Sequence, residues 1–208
     1  NDVDGLEEIF EQNKNEIAAI VFEPTVYEKP LPEFLSKIRK IADSNNSILI
    51  LDEIVTGFRF ALGGGQEYFD LKGDFVCFGK GMGNGLPISA ISGTEEFMKI
   101  FDTLWVSTTN GSETLSLAGT LATINEIKNK QTISHCWEVG KKLFDGWNQI
   151  AKEHEINALM TGYPIRMTMN CKDSKNHESF SLKGLILQEM VKRGIFIAQG
   201  PIFISYSH

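Results

Sequence analysis

Nowhere in its 208 residues does the sequence run for the roughly 18 to 20 consecutive apolar positions that a membrane-spanning helix requires, so no membrane partner is expected. Cysteine is scarce: Cys77, Cys136 and Cys171 lie far apart, form no CxxC pair and join no Cys/His cluster at ligand spacing. That argues against a disulfide framework and against a metal site, and leaves the three as apolar thiols of a reducing compartment. Basic charge is in deficit as well, with 20 Lys plus Arg against 27 Asp plus Glu and a formal net charge of -7. This balance excludes nucleic acid as a main partner and directs attention to small molecules and other proteins. The opening residues NDVDGLEEIFEQNKNEI are acidic and helix-like where a secretory signal is basic and then apolar, so a cytoplasmic protein is expected. Internal repeats and low-complexity tracts are also lacking.

What the sequence does have is an alternation of helical and strand patterns. Residues 3–16 set Leu6, Ile9 and Phe10 at helical spacing, and AAIVFEP then reads as a strand. From 30 to 45, Leu35, Ile38, Ile41 and Ala42 mark a second helix leading into SILILDE, a continuous apolar run of the kind buried on both faces of a parallel sheet. DFVCFGK and ISAISG repeat the strand pattern, and TEEFMKIF reads as a helix capped by Thr94. The expected fold is α/β with a mainly parallel sheet flanked by helices. Two long helices over 113–128 and 136–151 are expected to meet near Asn129. Beyond them IRMTMNC and IFIAQGPIFISYS read as strands around a helix from Leu182 to Arg193, closed by Gly194. The predicted organisation is a large domain over 1–130 and a linking helix with part of a smaller α+β domain over 131–208.

The chemistry concentrates between Asp52 and Gly85. In open α/β sheets the carboxyl ends of the strands form the binding crevice, and Asp52 ends SILILD as Lys80 ends DFVCFGK. Lys80 sits in GKGMGNGLP, where Gly79, Gly81, Gly83 and Gly85 let backbone approach a ligand closely. A lysine in such a setting can act as a free amine toward an aldehyde. A P-loop is excluded, because Asp74 stands where its first glycine belongs and Gly81 where Ser or Thr should follow the lysine. A GxGxxG fingerprint fails at Asn84. SILILDE keeps open an ATPase-like nucleotide binder using Asp52 and Glu53. His135, His154 and His177 lack a second histidine at ligand spacing, and Trp105, Trp137 and Trp147 read as core or interface residues.

The segment ILILDEIVTGFRFALGGGQEYFDLKGDFVCFGKGMGNGLPISAISG resembles the signature of class III aminotransferases, in the branch that contains glutamate-1-semialdehyde aminomutase. VSTTNGSETLSLAGTLATI and EMVKRGIFIAQGPIFISYSH continue the resemblance, which covers nearly the whole chain. It implies a partial fold type I transferase that uses pyridoxal 5′-phosphate (PLP), moving an amino group on an amino acid or amino sugar between a small-molecule donor and acceptor. It further implies that Lys80 holds the cofactor as a Schiff base and that Asp52 pairs with the pyridinium nitrogen. Ile54 would pack against one ring face. Thr109 would bond the cofactor phosphate of a neighbouring subunit, which makes a homodimer the expected assembly. Val55 stands where many members have glutamine, closer to the aminomutase branch, and Glu28 stands where several place a carboxylate that gates a substrate-binding arginine. The family's phosphate-binding turn and ring-stacking aromatic precede the part matched here, so the 208 residues are expected to be a piece of a longer chain, with a catalytically inactive fragment as the alternative.

Overall fold

The computed structural model describes all 208 residues, which divide into two compact units: Asn1–Val26 with Pro30–Ile133, and Tyr27–Lys29 with Ser134–His208. The first unit runs α1 (Val3–Gln12), β1 (Ala19–Phe22), α2 (Phe34–Ser44), β2 (Ile48–Asp52), α3 (Gly65–Tyr68) and β3 (Phe75–Phe78). After a 3₁₀ turn at Lys80–Met82 come β4 (Ala90–Gly93), α4 (Glu95–Met98), a second 3₁₀ turn at Lys99–Asp102 and α5 (Thr114–Asn129). The sheet has the order β1-β2-β3-β4, with β1, β2 and β3 parallel and β4 antiparallel to β3. The expected α/β fold with a parallel sheet is thus present, and its fourth strand reverses direction.

Alternation along β2 decides where the core lies. Leu49 and Leu51 are fully buried and pack with Leu35, Ile38 and Ala42 of α2, with Leu71 and with Val76 of β3. Each such leucine contributes roughly 1.5–3 kcal/mol of burial. Asp74 fastens the helix to the strand edge: its Oδ2 accepts Arg39 Nη1 at 2.8 Å and the N–H of Leu49 at 2.7 Å.

The second unit holds most of α6 (Thr132–Glu153), then β5 (Ala158–Tyr163), β6 (Arg166–Cys171), α7 (Phe180–Lys192) and β7 (Ile202–Phe203). The sheet order is β5-β6-β7 and all pairings are antiparallel. One face is apolar and buried, with Ala158, Met160, Met167, Met169 and Cys171 packed against Val139, Leu143 and Trp147 of α6 and Ile186 of α7. The open edge of β5 is covered by side chains of α6. Trp147 Nε1 donates to the Ala158 carbonyl at 2.7 Å, and Asn148 bonds both backbone groups of Met160.

Several local expectations shift. α1 stops at Gln12 because the Asn13 side chain and backbone both bond the Ile9 carbonyl and replace further helical turns. α2 starts only at Phe34, since Pro30 and Pro32 lack N–H donors and Glu33 turns left-handed at φ 63°. Thr94 sits at the start of α4 without a side-chain capping bond, its hydroxyl buried and unpaired. The tail strand shrinks to Ile202–Phe203, whereas β5 goes beyond what the sequence pattern had indicated. Gly194 ends α7 as expected, at φ 78°. Trp137 and Trp147 are partly buried, but Trp105 is 92% exposed. Cys171 is buried, while Cys77 and Cys136 are only partly so. No helix is long and apolar enough to cross a membrane, and no group of His, Cys, Asp and Glu is arranged to hold a metal.

Candidate active site

Parallel pairing of β2 with β3 brings the carboxyl ends of both strands to one edge of the first unit's sheet. Asp52 closes β2 and is half-buried; in register it faces Cys77 on β3, two residues before Gly79 and three before Lys80. One oxygen of Asp52, Oδ1, accepts the N–H of Ile54 at 3.0 Å, and Oδ2 has no donor from the protein. Register partners share a face of the sheet, so the Asp52 charge reaches the Cys77 thiol. Burial first, and that charge second, push the thiol above its ordinary pKa.

Lys80 opens the 3₁₀ turn with φ 41°, a left-handed conformation that a residue with a Cβ adopts at some cost in strain. The turn is held because Met82, two residues on, is buried, while Lys80 itself is exposed. A methyl group at Gly79 would lie 3.7 Å from Ile54 Cγ2, so Ile54 backs directly onto the residue before Lys80. At Gly81 a side chain would meet no atom within 4 Å, so the lysine turn faces open space.

The segment between the two strands is organised by Glu53, a role the sequence reading missed. Glu53 is 0% exposed; its carboxylate accepts the Thr56 hydroxyl, the N–H of Gly65 at 2.7 Å and the N–H of Gln66 at 2.6 Å. Gly64 has φ 89°, and a Cβ there would lie 2.5 Å from Glu53 Oε2, so only glycine lets the chain close over the carboxylate. The available signal was a second carboxylate directly after Asp52 followed by the triple glycine Gly63–Gly65. With its oxygens occupied by the protein, Glu53 cannot serve a nucleotide, which removes the basis of the ATPase-like alternative.

Thr109 is exposed and lines a pocket of about 440 Å³ with Thr108, Asn110 and Pro87–Ser89, the residues that follow the lysine turn. Asp52, Ile54, Lys80 and Thr109 therefore all belong to the first unit. Glu28 does not: it belongs to the second, where it lines a different pocket of about 730 Å³.

In backbone shape the chain is similar to solved transaminases. A structure described as a transaminase with PLP bound matches with a TM-score of 0.89 at 19% identity, over 100% of this chain and 52% of that one. An omega-transaminase from Sphaerobacter thermophilus matches with a TM-score of 0.88 at 23% identity, over 100% and 51%. The fold is accordingly that of the fold type I transaminases, present here in part. The class-III aminotransferase family model matches residues 2–204, and the chain belongs to that family. Relatives include a glutamate-1-semialdehyde 2,1-aminomutase of Acetivibrio thermocellus, 32% identical over 100% of this chain and 52% of that protein. Another, of the same name, comes from Alkaliphilus oremlandii and is 33% identical over the same shares. The chain spans about half the length of these curated relatives.

Proposed function

We propose that the chain is part of a PLP-dependent aminotransferase or aminomutase acting on small-molecule amino donors and acceptors, with Lys80 as its catalytic residue. The observation that carries this reading is that Asp52 ends β2 while Lys80 follows the end of its parallel neighbour β3 by two residues at the same sheet edge, with Ile54 behind the glycine before Lys80. The residues fit the cofactor. Asp52 keeps one oxygen free of protein donors, the turn at Lys80 faces open space, and Ile54 supplies aliphatic surface.

PLP, when bound, supplies an amine-reactive aldehyde and an electron-accepting ring. Lys80 Nζ would hold it and, as a free amine, would move a proton at the substrate Cα. Asp52 would keep a proton on the ring nitrogen through its negative charge. Ile54 would offer it an aliphatic surface. Thr109 would bond the phosphate of a cofactor held by a second subunit, which would make a homodimer the working assembly. Glu28 would act in substrate selection.

The test is spectroscopic. A PLP adduct should give visible absorbance, borohydride should fix the label on the peptide carrying Lys80, and Lys80→Ala should remove both. A label fixed elsewhere, or an adduct that survives Lys80→Ala, would overturn the assignment. The names of the relatives favour an internal amine shift as the second reading; product formation without any external amino donor separates it from transamination.

A further inference from the structure

Glu53 stands between Asp52 and Ile54, and none of its polar groups is left free. Its N–H donates to the Cys77 carbonyl at 2.9 Å, which carries the pairing of β2 with β3 one residue past Asp52. Its own carbonyl accepts the Gly57 N–H at 2.7 Å. On the carboxylate, Oε1 takes the Gln66 N–H, while Oε2 takes the Gly65 N–H and the Thr56 hydroxyl. Five bonds thus fix one residue, backbone and side chain together.

Asp52 is held quite differently. Its bond from the protein, Ile54 N–H to Oδ1, spans two residues, and the backbone torsions of the residue between them, Glu53, decide whether donor and acceptor meet. A rotation at Glu53 breaks this bond and turns Oδ2 away from its present direction. The segment that follows is confined as well. A Cβ at Gly57 would lie 2.6 Å from Phe78 Cδ1, so the chain passes directly over the last residue of β3, two before Lys80. Thr56 is fully buried beneath it. A buried side chain with every oxygen bonded therefore stands behind a half-buried one with an oxygen to spare.

We propose that Glu53 is a positioning residue, which fixes the direction of the free Oδ2 of Asp52 by locking the backbone between Asp52 and Ile54. The proposal deepens the aminotransferase reading, in which that oxygen would meet the cofactor's ring nitrogen. The coupling of Glu53 to Asp52 itself needs no cofactor. The Cys77 thiol reports on it, because the charge that acts on this thiol comes from Asp52 and not from Glu53.

Glu53→Gln keeps the side chain's size but offers one acceptor oxygen where three donors converge. In the protein without PLP it should shift the pH profile of Cys77 alkylation by iodoacetamide to lower pH, as Asp52→Asn does but by less. In the Asp52→Asn background it should add nothing, since the group it acts through has lost its charge. Thr56→Val removes a single bond to the same carboxylate and should give a smaller shift of the same sign, so the outcome does not depend on one variant's folding. Leu35→Ala loosens the core beside β2 without touching the segment, and should leave the profile where it is. An unchanged profile in both Glu53→Gln and Thr56→Val, an equal shift with and without the Asp52 charge, or an equal shift in Leu35→Ala would overturn the proposal. In the enzyme this chain is part of, Glu53→Gln should also lower kcat about tenfold, as loss of a supporting bond behind a ligand-holding residue does at metal sites. A shifted Cys77 profile with unchanged kcat would keep the positioning by Glu53 and sink the role given to Asp52, so the two readings fail separately.

Discussion

The carboxylate of Glu53, 0% exposed, accepts the backbone N–H of Gly65 at 2.7 Å, across twelve residues of loop. It also takes the N–H of Gln66, so one side chain satisfies two amides at the start of α3 and closes the segment that separates Asp52 from the lysine strand. A buried carboxylate is tolerated only when its oxygens are this fully bonded. Glu53→Ala leaves those amides and the Thr56 hydroxyl unpaired, and should cost about 3 kcal/mol in urea unfolding. Gly64→Ala, which forces a side chain at φ 89° against the same carboxylate, should also destabilise, by roughly 2 kcal/mol. A loss under 1 kcal/mol for Glu53→Ala would show that the loop holds together without it.

Asp52 and Cys77 offer a second check, because they face each other in the strand register. Burial and the Asp52 charge both favour the neutral thiol. Alkylation by iodoacetamide follows the thiolate, so Cys77 should react more slowly than an exposed thiol at neutral pH. Asp52→Asn removes the second cause and should shift the alkylation profile of Cys77 to lower pH. On the proposed function, the same variant should lower the turnover of the enzyme this chain is part of by about a hundredfold, the worth of a charge-assisted bond of 2–3 kcal/mol. An unchanged alkylation profile would show that the two side chains do not sense each other.

The outer edge of β5 gives a third. Asn148 donates to the Met160 carbonyl at 3.0 Å and accepts its N–H at 2.8 Å, replacing the strand that is missing on that side. Asn148→Ala should cost about 1–2 kcal/mol, and Asn148→Asp, which keeps the acceptor alone, should fall between it and the parent in the same unfolding measurement. Hydrogen exchange at the Met160 amide should accelerate in the alanine variant. Retained protection there would assign the edge's stability to Trp147 instead.

Much of this architecture could be read from side-chain spacing, and what escaped did so for physical reasons. SILILD announced a buried parallel strand because Leu49 and Leu51 fill a core on one side while the run stays apolar on the other. The glycines around Lys80 marked the turn, although only Gly83, packed against Ile88 and Leu86, and Gly85, at φ 100°, need to be glycine, and the left-handed residue at the site is Lys80 itself. Glu53 was hidden because its partners are backbone amides twelve and thirteen residues away, which leave no side-chain pattern. β5 escaped because ALMTGY mixes small and polar residues, and its strand state depends on pairing with β6 and on α6 covering its edge. The direction of β4 was equally invisible, since its residues Ala90–Gly93 fit either orientation and only the short connection from the lysine turn decides it.

Glu113 makes the last prediction, because its carboxylate caps α5 directly after the loop that carries Thr109. It accepts the Ser116 hydroxyl at 2.5 Å, the Ser116 N–H at 2.7 Å and the Leu115 N–H at 2.8 Å. These bonds, the Ser116 hydroxyl first, hold the carboxyl below its usual range. The folded pKa is thus lower than the unfolded one, so the cap stabilises fully above the ordinary carboxylate range and its contribution is lost as pH falls through the lowered value. Glu113→Gln should therefore be less stable than the parent near neutrality, and the two should converge as the solution is acidified through the lowered value. Ser116→Ala removes the largest cause and should bring the carboxyl titration, followed by NMR, back toward the usual range. A gap between Glu113→Gln and the parent that stays constant with pH would mean that the capping oxygens act by geometry alone, with no contribution from their charge.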